Sequence, residues 1–104
     1  MINDQEKEYQ VWVDDNFHYM DPSERTLRGS YGTLEEAEAE CRRMVEDNLR
    51  HLHEPTMTAE ALYSQYVSFG EDPFVVGGTT LKSTFSAWKY AEALSKAVCA
   101  DREA

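Results

Sequence analysis

Basic residues are scarce in this chain. Of 104 residues, 10 are lysine or arginine against 20 aspartate or glutamate, a formal net charge of −10. Phosphate contacts need clustered lysine and arginine, so this balance argues against direct binding to nucleic acid. An anionic membrane surface is disfavoured for the same reason. Long apolar runs are also missing, and nothing approaches the roughly 20 residues that cross a bilayer. Cysteine is limited to Cys41 and Cys99, with no CxxC pair. One disulfide is the arithmetical maximum, and a cytosolic protein keeps such thiols reduced. Both cysteines fall where helices are expected, as buried and inert thiols. The opening stretch MINDQEKEYQ has neither a basic n-region nor an apolar h-region, so a cytoplasmic location is expected.

What is present suits one small globular domain over residues 1–104, with 1–8 expected to fray. Hydrophobic residues make up 41%, too many for a disordered chain. The excess charge is localised. Residues 1–24 hold seven acids and one base, and residues 35–40 hold four glutamates and no base, while the remainder balances. A basic partner, or plain solubility, fits that distribution.

Periodicity divides the chain into six elements. Tyr9, Val11 and Val13 alternate with Gln10 and Trp12, which predicts a strand with bulky residues on both faces. A polar loop, 14–24, leads to a second strand, 25–31, in which Leu27, Gly29 and Tyr31 would share a face. Thr33-Leu34-Glu35-Glu36 is a capping box. The helix it opens, 34–52, has Leu34, Ala37, Cys41, Met44, Val45 and Leu52 on one stripe. Glu38–Arg42 and Glu46–Arg50 have the spacing of favourable pairs. Thr58 is the expected cap of a second helix, 59–69, with Leu62, Tyr63, Tyr66 and Phe69 inward and Gly70 at its end. Phe74-Val75-Val76 is a short apolar strand. Ser86 caps a last helix, 87–100, with Phe85 and Tyr90 placed as a hydrophobic staple and Ala87, Ala91, Leu94 and Val98 as its stripe. The order β-β-α-α-β-α predicts an α+β fold, a small antiparallel sheet covered on one face by helices in two layers. The third strand is expected at an edge of the hairpin, on a side the pattern leaves open.

The segments VDDNFHYMD, YGTLEEAEAEC, FGEDPF and FSAWKYA, in this order across roughly residues 9–99, resemble a family of small uncharacterised bacterial proteins. In that family the residue at position 89 is more often acidic, and here it is Lys89. The resemblance implies bacterial origin and carries no activity, cofactor or functional residue to this chain.

The richest local chemistry is VDDNFHYMDPSER. A calcium loop beginning at Asp14 needs glycine at its sixth position and glutamate at its twelfth, and finds Tyr19 and Arg25. A transition-metal site from Asp14, Asn16, His18 and Asp21 would hold one histidine and no cysteine, a modest donor set. Acid–base work by Asp14 and Asp15 would need their proton affinities pushed apart. The structural alternative is a hairpin loop of Asx turns, anchored by Phe17, Tyr19 and Met20 and stiffened by Pro22. His51 and His53 flank Leu52 and point to different faces of a helix. Cys41 on an apolar stripe lacks the exposure of a nucleophile, and Gly77-Gly78 has no phosphate-loop context.

Three functions remain in view. The first is a non-enzymatic protein-interaction module, self-associating or with a protein partner, using Trp12, Asp14, Asp15, Asn16, His18, Tyr19 and Asp21 with Glu36 and Glu40 of the second acidic patch. Trp and Tyr are enriched in interfaces, and a second hairpin face carrying Trp12 could be covered by another subunit. The second is a DNA mimic that inhibits a nucleic-acid-binding enzyme, for which Glu36 and Glu40 have phosphate-like spacing. The third is a ligand or metal pocket joining the 14–21 loop to Glu71 and Asp72. No cofactor is implied by any motif.

Overall fold

A computed structural model describes residues 8–18, 23, 25–77 and 83–103, with the side chains of His18 and of residues 100–103 outside that description. Strand β1 is Tyr9–Asp15 and β2 is Thr26–Tyr31. Helix α1 is Leu34–Leu52 and α2 is Ala59–Phe69. Strand β3 is Glu71–Gly77 and α3 is Ala87–Glu103. The three strands form one antiparallel sheet in the order β2-β1-β3, so the third strand adds to the free side of β1 and makes β1 central. The fold is α+β, as the order of elements predicts.

Local chemistry accounts for the helix starts. The Thr33 hydroxyl accepts from the Glu36 N–H at 3.1 Å and donates to Glu36 Oε1 at 3.0 Å, so Glu36 closes the box on the hydroxyl of the cap. Thr58 accepts from the Ala61 N–H at 3.1 Å. Ser86 accepts from the Lys89 N–H at 3.3 Å, and the Phe85 and Tyr90 rings lie 5.9 Å apart as the staple requires. Gly70 follows α2 with an ordinary φ of −82°. Its requirement is space, since a Cβ there would fall 2.6 Å from Tyr66 Cδ1.

Helix α1 joins two apolar cores. Its first half places Ala37, Cys41 and Met44 on the sheet face formed by Tyr9, Val11 and Val13, with Val75 alongside. Its second half turns Val45 and Leu49 toward Leu62 and Tyr66 of α2 and Ala87, Ala91 and Cys99 of α3. Leu49, absent from the expected stripe, is among the most deeply buried side chains. On α3 the buried line keeps the expected Ala87 and Ala91 and continues through Ser95 and Cys99, one position on from the expected Leu94 and Val98, which are half-buried.

Three local expectations are corrected. Register along β1 and β2 shifts between Val11, opposite Gly29, and Trp12, opposite Leu27. Arg28 is therefore the extra residue of a β-bulge. The bulge breaks the shared face of Leu27, Gly29 and Tyr31 and sends Leu27 to the side of Trp12. Phe69 is not inward: it is exposed and stacks on Phe17 at 5.9 Å. The charges on α1 also pair differently. Arg43 binds Glu40 and Asp47, Arg50 binds Asp47, and Arg28 crosses from β2 to Glu40. Glu38 instead accepts from Ser83 and Glu46 from Tyr90.

Candidate functional site

The acidic segment begins in regular structure, because β1 runs through Asp15 and a 3-10 turn, Asn16–His18, follows. Asp15 Oδ1 accepts from the Phe17 N–H at 2.9 Å, the Asx turn expected there. Asn16 is buried and has a structural task. Its N–H donates to the Gly70 carbonyl at 3.0 Å and its Nδ2 to the Tyr66 carbonyl at 2.9 Å. Its Oδ1 accepts from Trp88 Nε1 at 3.3 Å. One side chain thus ties the end of the sheet to α2 and α3. Tyr66 extends the tie by donating its hydroxyl to the Glu71 carbonyl at 2.5 Å, and burial pushes that phenol well above its ordinary range. Tyr19, Asp21 and the His18 side chain lie outside the described residues.

The strands bring Asp14 and Asp15 beside Asp72 and Glu71, but they do not gather these four at one point. Asp14 pairs with Asp72 across β1 and β3, and Asp15 pairs with Glu71. Alternation sends successive pairs to opposite faces. Asp15 and Glu71 border an open cleft of about 380 Å³ with Asn48, His51 and Phe69. Asn48 already occupies Glu71, accepting from its N–H at 2.6 Å and donating to its carboxylate at 3.2 Å. Among the described residues no three histidine, cysteine or acidic side chains converge as a metal group. Glu36 is engaged with Thr33, and Glu40 with two arginines that hold its carboxyl below the usual range. Those two glutamates are therefore not a row of bare charges.

The other face of the sheet is different in character. Gln10, Trp12 and Asp14 of β1 stand there with Leu27 of β2 and Asp72, Phe74 and Val76 of β3. Trp12, Leu27, Phe74 and Val76 belong to neither apolar core. Leu27 is 49% exposed and Val76 45%. Gln10, Trp12, Phe74, Val76 and Arg25 line a shallow groove of about 340 Å³. Trp12 is oriented by its Nε1 donating to Gln10 Oε1 at 3.1 Å. Arg25 crosses the sheet at one end. Its Nε and Nη2 donate to the two oxygens of Asp14 at 2.7 and 3.1 Å, and its guanidinium carbon lies 5.0 Å over the Phe74 ring. Among the described residues no side chain pairs with Asp72 in this way. Burial and the neighbouring Asp14 charge push its carboxyl up to about 6.

Among the described residues, Trp12 and Asp14 are the expected surface residues that stand on this face. Arg25, Leu27, Phe74 and Val76 join them without being expected there from the sequence. Phe74 and Val76 carry a period-2 signal that, set beside Trp12, points to one shared face. Leu27 gives no such signal, because the bulge that moves it leaves no mark in the apolar pattern. Comparison of the chain with protein-family models, curated proteins and solved structures finds no match.

Proposed function

We propose that this protein is a non-enzymatic interaction module of the bacterial cytosol, acting through the helix-free face of its sheet. The observation that carries the proposal is the groove of Trp12, Phe74 and Val76 with Leu27 beside it, apolar side chains that join neither core. A sheet face of this kind is stabilised by covering it, and aromatic side chains with a polar rim are what protein interfaces use. The cytosolic setting draws support from Cys41 and Cys99, free thiols buried in separate cores. Bacterial origin is what the motif resemblance implies. No helix among the described residues is long and apolar enough to cross a membrane.

The test pairs capture with a surface variant. Tagged wild-type protein and the Trp12→Ser, Phe74→Ser double variant are used as bait in extract of the native host, and both are sized by light scattering. The reading expects a stoichiometric associate, or a dimer, with the wild type and neither with the variant. A strictly monomeric wild type whose bound proteins are the same as the variant's removes it.

A further inference from the structure

We infer that the partner of this face is a protein segment carrying lysine or arginine among apolar residues, and that Asp72 receives the cation. The inference deepens the interaction reading and depends on it. Its ground is the uneven state of the two cross-strand carboxylates. Asp14 is gripped by Arg25 through two hydrogen bonds. Asp72, its Cα partner, is half-buried at the same end of the groove, and no described side chain donates to it. A buried or half-buried carboxylate facing another is held at a cost that an incoming cation removes. The groove beside it suits the rest of such a side chain. Trp12 and Phe74 offer aromatic surface to the hydrocarbon stem, and Arg25 over Phe74 displays the same chemistry within the chain.

Other occupants fit less well. A second copy brings another ten net negative charges, and its own Arg25 is already committed to Asp14. Strand addition at the sheet edges is opposed on both sides, by Pro73 within β3 and by the bulge at Arg28 in β2. The face, rather than an edge, is left for the partner, and its unsatisfied charge is negative.

The experiment uses a displayed library of random 12-residue peptides panned on the full chain. A synthetic copy of the selected sequence is then titrated by fluorescence anisotropy against wild type, Trp12→Ser and Asp72→Asn. The expected consensus holds lysine or arginine flanked by apolar residues. Each substitution is expected to weaken binding about tenfold or more. Asp72→Asn is expected to melt no lower than wild type, so its loss of binding is not a loss of fold. Peptides that lack a cation, or that feel Trp12→Ser but not Asp72→Asn, overturn the inference and leave the interaction reading standing. A wild-type dimer that Trp12→Ser dissolves does the same, with a second copy as the occupant. Peptides indifferent to Trp12→Ser, or a library that enriches nothing, count against both.

Discussion

Replacing Asp72 by asparagine removes one charge from a cross-strand acid pair and keeps the side chain's shape. In the folded protein the Asp72 carboxyl is pushed up to about 6, first by burial and then by Asp14. An unfolded chain would return it to roughly 3.9. The folded state therefore holds this proton more tightly, and between about pH 4 and 6 it binds more protons than the unfolded state. Stability from this group is fully present below about pH 4 and is lost as pH rises through about 6. A shift of about two units corresponds to roughly 3 kcal/mol. Asp72 still touches solvent, and screening there reduces the cost to about 1–2 kcal/mol. Asp72→Asn should thus be more stable than wild type by that amount at pH 7.5 and equal to it near pH 4. Urea titrations of both proteins at the two pH values measure the difference, and the shared effect of the other acids cancels. Destabilisation at pH 7.5, or a gain that is the same at both pH values, would refute the assignment of Asp72 as an unrelieved carboxylate.

Three further outcomes follow from the same geometry. Asn16→Ala removes two side-chain hydrogen bonds that join three elements and should cost about 2–3 kcal/mol in a urea midpoint experiment; a cost below about 0.5 kcal/mol would mean that Asn16 is not the tie described. Gly70→Ala sets a Cβ against the Tyr66 ring and its carbonyl, 2.6 and 2.8 Å away, and should cost about 1–3 kcal/mol by thermal melting; an unchanged midpoint would show that α2 can shift freely. Cys41 and Cys99 are buried, and burial pushes the Cys41 thiol up to about 12. Ellman's reagent should therefore react with neither in the native protein and with both in denaturant, whereas rapid native labelling of Cys41 would contradict the packing of α1 on the sheet and that of Cys99 the packing of α3 on the helical core.

The parts of the fold that follow from periodicity and from local hydrogen bonding were open to reading in the residues. Thr33, Thr58 and Ser86 act within three residues of themselves, and their helices begin where the caps stand. The side on which β3 joins was not readable, since Phe74-Val75-Val76 is equally apolar toward either neighbour. The bulge at Arg28 escaped for a different reason. It follows from the fit of β2 on β1 and from the reach of Arg28 to Glu40 on α1, a contact between residues 12 apart in the chain.

The candidate site shows the same limit. Asn16 has the composition of a ligand, and only the docking of α2 and α3 turns it into a buried tie. Asp14 and Asp72 are separated by 57 intervening residues in the chain and become neighbours through strand pairing alone. In the sequence Arg25 is only a residue unsuited to calcium, and its grip on Asp14 depends on β2 lying beside β1. Local chemistry announces itself in a sequence; chemistry made by pairing distant strands does not.

The most direct measurement places a reporter in the groove itself. Trp12 and Trp88 are the two tryptophans. Trp12 stands in the groove, and Trp88 packs against the helical core on the other side. Protein labelled with 5-fluorotryptophan gives two fluorine resonances, assigned with Trp12→Phe. Addition of the selected peptide should move the Trp12 resonance to saturation and leave that of Trp88 in place. Movement of Trp88 alone, or of neither during demonstrated binding, would contradict the claim that this protein works through the uncovered face of its sheet.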